Sequence, residues 1–250
     1  MSFLMRRGII SSVVSGATFA ANTSLLTGTQ YYTAGDILDV GAASFSFTGN
    51  FMVATGAPDR GTILTRYTGT TDANNCFIFR YRTAGEVVDW VVQGGSTIGK
   101  VAVPISLDTF YSFYIEYNSV AQTISFSLDD ATPVTIAHTA GVNSGGTADF
   151  EVGNRTGTDA LAGSIAAITA YSRLLTSGEQ TLVHNGGSPL CYDSRTPAIN
   201  AATTNSWNLA NSTDGGMPIG DELIDQKGVS NLTAIGSPTY TDQGLTVECS

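Results

Sequence analysis

The stretch "GSIAAITAYSRLLTSGEQTLVHNGG", residues 163–187, decides the fold, because it joins a strand to a short capped helix in a chain otherwise rich in strand patterns. Residues 165–171 are almost all apolar, which is typical of a strand covered on both faces. We expect Ile165 and Ile168 to point to opposite faces of this strand and both to be buried.

The helix after this strand has clear boundary signals. The motif "TSGE" at residues 176–179 fits a capping box, in which the threonine hydroxyl and the glutamate carboxylate satisfy each other's backbone amides. The "NGG" at 185–187 supplies the left-handed residue that ends a helix. We expect about two turns lying on the sheet, with Leu182 and Val183 packed against it. A protonated His184 in the last turn would suit the helix dipole.

Composition indicates a turn-rich all-β protein. The 250 residues include 28 glycines, and only 13% are charged. The formal net charge of −10 argues against binding of nucleic acid through phosphate neutralisation, and against docking on an anionic membrane. No apolar run approaches the roughly 20 residues that a membrane span needs.

The first residues, "MSFLMRRGIISSVVSGA" at 1–17, contain two arginines followed by a weakly apolar patch. Ser11 and Ser12 interrupt this patch, so the sequence favours an N-terminal arm, residues 1–20, over a cleaved secretion signal.

The cysteines indicate neither a metal knuckle nor a disulfide framework. Cys76, Cys191 and Cys249 are too scattered for the first and too few for the second. Two alternatives stay open: three buried thiols, or one disulfide.

Strand patterns follow at short, regular spacing, and each is bounded by glycine, aspartate or asparagine. This spacing is typical of a two-sheet sandwich or jelly roll. The segments are residues 43–55, 61–67, 75–83, 86–94, 109–118, 122–137 and 148–154.

Four segments carry a family resemblance: "LDVGAASFSFTGNFMV", "TILTRY", "YSFYIEYNSVAQTISFSLDDATP" and "FEVGNRTGTDALAGSIAAITAYSRLLTSGEQTLVHNGG". Their order resembles that of laminin-G-like, or concanavalin A-like, jelly rolls. Those domains end on a strand of the form G-x-I-x-x-[IV]-x-x-Y-x-R-x-L, followed by [ST]-x-x-E and a short helix. Gly163 to Glu179 fits that form. The resemblance implies an all-β fold, a two-sheet antiparallel jelly-roll sandwich with one short helix, over residues 21–192.

The C-terminal segment, residues 193–250, resembles the start of another such domain. "NSWNLANSTDGG" and "DELIDQKGVSNLTAIGSP" look like the strands with which the family normally begins. We expect this segment to add strands that dock on the same jelly roll or on a neighbouring one.

Catalytic residues are not predicted. Glycosidases of this fold carry two carboxylates from one strand in a Glu-x-Asp-x-(x)-Glu pattern, and this sequence has no such triplet. The nearest approach is Asp149-Phe150-Glu151, where we expect Asp149 to end a turn and Glu151 to face solvent. Glycoside hydrolysis is therefore the least favoured function.

Calcium is the one cofactor that the sequence offers ligands for, because loop carboxylates and amides supply the oxygens it prefers. The alternative is that these residues simply build turns. The candidates are Asp72, Asn74, Asn75, Asn154 and Asp159.

Sugar binding would need exposed aromatic rings for stacking. The alternative is that strand alternation places these rings in the core or in cross-strand pairs. The candidates are Tyr31, Tyr32, Tyr81 and Trp90.

The displaced terminal strand in an acidic chain rich in glycine and threonine resembles phage and prophage virion proteins. The leading hypothesis is a non-enzymatic virion structural, decoration or fibre protein. It would form a homo-oligomer, contact capsid or tail proteins, and bind host-surface glycans as an additional activity. The alternative is a cellular or secreted carbohydrate-binding module. The fold itself hosts both functions.

Overall fold

The computed structural model describes residues 17–27, 30–41, 43–67, 76–143, 147–155, 157–187, 195–208, 211–212, 222–223, 230–235 and 239–249. Two antiparallel sheets face each other across an aromatic core. The two-sheet jelly-roll sandwich predicted from the sequence is confirmed.

Sheet A has nine strands within these residues, in the spatial order β10-β9-β8-β3-β12-β1-β14, with β13 also paired to β12 and β17 to β1. The strands are β1 (Ala17–Thr27), β3 (Phe45–Val53), β8 (Phe110–Asn118), β9 (Thr123–Leu128), β10 (Val134–Ala137), β12 (Ala162–Tyr171), β13 (Thr203–Asn208), β14 (Asn211–Ser212) and β17 (Thr239–Cys249).

Sheet B has eight strands in the described part of the chain, in the order β15-β16-β2-β11-β4-β5-β6-β7. They are β2 (Tyr31–Thr33), β4 (Thr62–Arg66), β5 (Phe77–Arg82), β6 (Val87–Gly94), β7 (Thr97–Pro104), β11 (Glu151–Val152), β15 (Glu222–Leu223) and β16 (Leu232–Ile235).

The described helices are α1 (Ser177–His184) and α2 (Pro197–Ala202), and a 3-10 turn over Asn185–Gly187 follows α1. Neither helix is long and apolar enough to cross a membrane.

The core between the sheets consists largely of aromatic rings. Phe79 of sheet B lies 4.9 Å from Phe113 of sheet A, and Phe47 of sheet A lies 5.1 Å from Phe77 of sheet B, both measured between ring centroids. Such tilted pairs add to the free energy gained by burying the rings. The alternation of apolar residues along β3, β5 and β8 therefore holds the two sheets together.

A β-bulge in β12 corrects one expectation about the central strand. The pairing of β12 with β3 shifts register between Ile165 and Ala167, so Ala166 is the extra residue. As a result Ile165 and Ile168 both point into the core, and the prediction of opposite faces is wrong. Their burial is confirmed, since neither side chain is exposed.

The capping box of α1 is confirmed. The Glu179 amide donates to Thr176 Oγ1 at 3.3 Å, and the Thr176 amide donates to Glu179 Oε2 at 2.8 Å. Arg173 donates two further hydrogen bonds to the same carboxylate, both at 2.7 Å. These bonds from Arg173, reinforced by those from Thr176, lower the pKa of Glu179 to about 2. Asn185 ends the helix in the left-handed conformation, at φ 44°.

The contacts of α1 with sheet A differ from the prediction. Leu182 is 50% exposed, so it does not pack on the sheet, whereas Val183 does pack against a buried cluster there. His184 is buried, with Nδ1 2.6 Å from Ser112 Oγ. Burial lowers the pKa of His184 despite nearby carboxylates, so the neutral ring is favoured over the expected imidazolium.

The C-terminal strands complete both sheets within the same chain. β13 pairs with β12 and β17 with β1 in sheet A, while β16 pairs with β2 in sheet B. Trp207 of β13 is fully buried, stacks on Phe150 at 5.2 Å, and donates from Nε1 to the Ser230 carbonyl at 2.8 Å. β1 begins at Ala17, inside the segment predicted as an arm.

A buried arginine ties the loop before β3 to sheet B. Arg66 pairs with Asp36 at 2.6 Å and with Asp39 at 2.7 Å, and it donates from Nη1 to the Cys76 sulfur at 2.9 Å. Cys76 in turn donates to the Asn143 carbonyl, and burial raises the pKa of this thiol. Cys191 lies outside the described residues, so the choice between thiols and one disulfide stays open.

Candidate functional site

Five cations lie close to one another at sheet B, although the chain as a whole has a net charge of −10. Arg80, Arg82 and Lys100 all lie within 4 Å of the Asp89 carboxylate. Arg60 and Arg155 are close enough to Arg80 to act on it electrostatically. We call this set the basic face: Arg60, Arg80, Arg82, Lys100 and Arg155.

Strand alternation explains why these charges share one surface. In β5, Phe77, Phe79 and Tyr81 belong to the core, so the residues that alternate with them, Arg80 and Arg82 included, point outward. In the neighbouring strand β6, Asp89 lies directly opposite Arg80. In β7, Lys100 lies opposite Val91, on the same outer face as Asp89. Three adjacent strands therefore deliver charged side chains to one patch.

Asp89 lies at the base of this patch. Its side chain is fully buried, and its Oδ2 lies 3.7 Å from Arg80 Nε, 3.9 Å from Arg82 Nη1 and 3.9 Å from Lys100 Nζ. These distances are too long for hydrogen bonds, and no donor among the described residues bonds to either Asp89 oxygen. The carboxylate is thus a counter-ion shared by three cations, and no single guanidinium holds it in a bidentate pair.

The cations differ in how far they reach into solvent. The Lys100 side chain is 53% exposed, whereas that of Arg80 is 16% exposed and its Nε has no hydrogen-bond partner in the described part of the chain. Ala102 and Pro104, also on β7, are exposed, and their side chains are small. The basic face therefore has a buried carboxylate at its base and exposed side chains at its edge.

Electrostatic strain is concentrated at Arg80. Its burial, together with the positive charges of Arg82, Arg155 and Arg60, lowers the pKa of this guanidinium, and Asp89 offsets only part of the effect. Cations placed this close to one another repel, so an anion bound among them would be stabilised.

Arg82 is positioned by a second carboxylate. It donates from Nε to Asp59 Oδ1 at 3.1 Å, and the Thr83 amide donates to the same oxygen at 3.0 Å. Burial raises the pKa of Asp59, but the hydrogen bonds from Thr83 and Arg82 outweigh it, so the pKa is lowered overall. Asp59 thus stays ionised and holds the Arg82 guanidinium in place.

The aromatic residues predicted to stack on sugars are mostly in the core. Tyr32, Tyr81 and Trp90 are buried, and Trp90 donates its indole N–H to the Glu116 carbonyl at 3.0 Å. They have no face that a sugar ring can reach, so this part of the prediction is wrong. Tyr31, on β2, is half-buried, and its role stays a prediction.

Two of the predicted residues, Tyr81 and Trp90, do lie on β5 and β6, but on the core faces of these strands. Tyr81 lies between Arg80 and Arg82, and Trp90 follows Asp89. The alternation of aromatic and charged residues in "FRYR" at 79–82 was the signal that would have found the basic face, because charged side chains seldom point into a core.

The structure describes two of the predicted calcium ligands, Asn154 and Asp159. Asn154 is buried. The Asp159 carboxylate pairs with the Arg155 guanidinium, a cation, and not with a metal ion as predicted. The described residues contain no cluster of three or more histidine, cysteine or acidic side chains that could hold a metal. Asp72, Asn74 and Asn75 lie outside the described residues, so a calcium site there stays a prediction.

The carboxylates at 149 and 151 do not form a pair along one strand. Asp149 precedes β11 and is exposed, while Glu151 is buried in β11 between Thr33 and Thr65 of its neighbouring strands. The expectation that Glu151 faces solvent is therefore wrong, since the residue is only 7% exposed.

A small cavity of about 160 Å³ lies at one end of the sandwich. Its walls are mostly apolar, and its charged wall residue Asp39 is already paired with Arg66. The lining includes Leu38, Asp39, Phe45, Phe47, Tyr171 and Thr204. This cavity offers less binding chemistry than the basic face.

No protein-family model matches the chain, and no curated protein matches its sequence. Solved structures do resemble it. A putative carbohydrate-binding protein from Bacteroides ovatus has a TM-score of 0.65 and 14% identity, over 92% of this chain and 62% of that one. The chain thus spans less than two thirds of that protein.

Two further structures have the same fold. The CBM40 of the Ruminococcus gnavus IT-sialidase has a TM-score of 0.51 and 14% identity, over 67% of this chain and 97% of that one. A NanB sialidase from Streptococcus pneumoniae has a TM-score of 0.52 and 13% identity, over 64% of this chain and 27% of that one. These likenesses confirm the jelly-roll fold that the resemblance implies. At these identities the likeness shows the fold alone.

Proposed function

We propose that this chain is a non-catalytic glycan-binding domain and that the basic face is its binding surface. The observation that carries the proposal is the buried Asp89 carboxylate shared by Arg80, Arg82 and Lys100. A buried carboxylate recovers the cost of losing its hydration only when its oxygens accept hydrogen bonds, and among the described residues Asp89 accepts none. Here the carboxylate positions three cations, and their N–H groups can meet a ligand's oxygens.

The fold supports this proposal without establishing it. Two of the similar structures are described by their names as a carbohydrate-binding protein and a carbohydrate-binding module. Because the same jelly roll hosts many functions, the basic face itself is the main support for glycan binding. A few polar groups fixed on rigid strands are the usual means by which a binding site orients its ligand.

A glycan microarray probed with the wild-type chain and with Lys100→Ala tests the proposal. Lys100 is more than half exposed, so its truncation should leave the fold intact. We expect selective signals from the wild type that weaken about tenfold or more in the variant, since a charge-assisted hydrogen bond contributes about 1.5–3 kcal/mol.

Val120→Glu is the matched control, because it also lowers the net charge by one. Val120 is 91% exposed and lies in the turn between β8 and β9 of the opposite sheet. This variant should bind as the wild type does. An array without selective wild-type signals, or equal signals from Lys100→Ala, would contradict the proposal.

Location on a phage-type virion, contacts with capsid or tail proteins and assembly into a homo-oligomer are further parts of the proposal that the sequence resemblance suggests. A glycan-binding face displayed on a particle would mediate attachment to a host surface. Native mass spectrometry measures the oligomeric state directly: a closed oligomer would support display in several copies, and a monomer would argue against it.

A further inference from the structure

We propose that the glycan bound by the basic face is acidic, and that its carboxylate or sulfate group lies over Arg80, Arg82 and Lys100. This inference depends on the proposed function. It adds the chemical class of the ligand, and the charges and spacing of the same surface carry it.

The local charge is opposite in sign to that of the protein. Three carboxylates, those of Asp59, Asp89 and Asp159, form ion pairs with the five cations of the basic face. The five cations thus outnumber the carboxylates paired with them by two, on a chain whose net charge is −10. An anion is therefore attracted to this patch and repelled by the rest of the surface.

A neutral sugar would bring no negative charge to balance these cations. Arg80 is largely buried and is surrounded by like charges, which lower its pKa. Hydroxyl groups can accept its hydrogen bonds but do not neutralise it. A carboxylate or sulfate does both, and arginine can bind such a group through two parallel N–H···O bonds.

The spacing of the cations limits the size of the ligand. Arg80 and Arg82 are two residues apart on one strand face, which separates them by about 7 Å along β5. Lys100 lies on β7, two strands away, at about 10 Å across the sheet. A patch of these dimensions matches one or two sugar rings bearing a single acidic group better than it matches a long polyanion.

The test is an array of matched glycan pairs, each with the same neutral core with and without a sialyl, uronate or sulfate group, followed by calorimetry on the strongest pair. We expect the acidic member to bind at least tenfold more tightly than the neutral one. Its affinity should fall as sodium chloride is raised, because salt screens the attraction. Arg82→Ala should remove most of the preference, and Arg82→Lys should keep part of it.

Three outcomes would overturn the inference. Equal binding of acidic and neutral members would refute the acidic ligand while leaving glycan binding intact. Binding of no glycan at all would refute the proposed function as well. Equal or tighter binding of a single-stranded oligonucleotide would show an unselective polyanion surface. Val120→Glu, which changes the net charge away from the face, should retain the full preference.

Discussion

Asp89 and His184 are both buried, but their surroundings differ: cations surround Asp89, whereas burial favours the neutral form of His184. Asp89 lies under three cations, which supply the compensation that a buried charge requires. His184 lies against Ser112 under α1, where burial favours the uncharged ring. Asp89 thus lies beneath the proposed binding surface, whereas His184 makes the docking of α1 sensitive to pH.

The pH dependence of stability should include a contribution from His184. Because its pKa in the folded state is lowered below the unfolded value of about 6.5, the unfolded chain takes up the proton first as the pH falls. Stability present above pH 6.5 is therefore lost as the pH falls through the lower folded-state pKa, by up to about 1.4 kcal/mol per pH unit.

Urea unfolding between pH 7.5 and pH 5.5 measures this effect. His184→Asn should be less stable than the wild type at pH 7.5 but should show a flatter pH dependence. The same slope in both proteins would mean that His184 does not titrate in the way that its burial implies.

At the scale of elements, the sequence predicts which segments are strands better than it predicts where their side chains point. The strand patterns and the capping box were read correctly because periodicity and capping are local. The bulge at Ala166 was missed because it is defined by the pairing of β12 with β3, which no local pattern contains. The faces of β5 and β6 were misjudged because aromatic rings suit a core and a sugar site equally well.

The central strand should be sensitive to truncation at both isoleucines. Ile165→Ala and Ile168→Ala each remove a fully buried side chain from the same core, so each should lower the free energy of unfolding by about 2–4 kcal/mol. Ile98→Ala is the control, since Ile98 is nearly half exposed on β7 and should change stability by less than about 0.5 kcal/mol. Chemical denaturation checks all three, and two unaffected core variants would contradict the burial of both isoleucines.

The first and last described strands pair with each other in sheet A. The C-terminal segment, residues 193–250, also adds strands to sheet B. β1 pairs with β17 over most of its length, and β16 adds to β2. Trp207 and Leu232 place tail side chains in the common core. The sequence left open whether these strands dock on the same or another chain, because local patterns do not specify a distant partner.

Deletion of residues 200–250 should therefore unfold the protein. It removes β13–β17 and the buried Trp207, and it leaves β1, β2 and one side of β12 with unpaired edges that favour aggregation. Ile235→Ala, at an exposed position of the same segment, should stay soluble with a nearly unchanged melting temperature. Size-exclusion chromatography and thermal melting distinguish the outcomes. A truncated chain that remains monomeric, with an unaltered melting temperature, would show that the tail does not complete the sandwich.

The most direct measurement of the central claim is a backbone amide NMR titration of the ¹⁵N-labelled chain with the acidic glycan that binds most tightly on the array. If the basic face binds this glycan, the largest shifts will occur in β5, β6 and β7 around Arg80, Asp89 and Lys100, with α1 unaffected. Shifts centred instead on the cavity beside Phe45 and Tyr171 would contradict it.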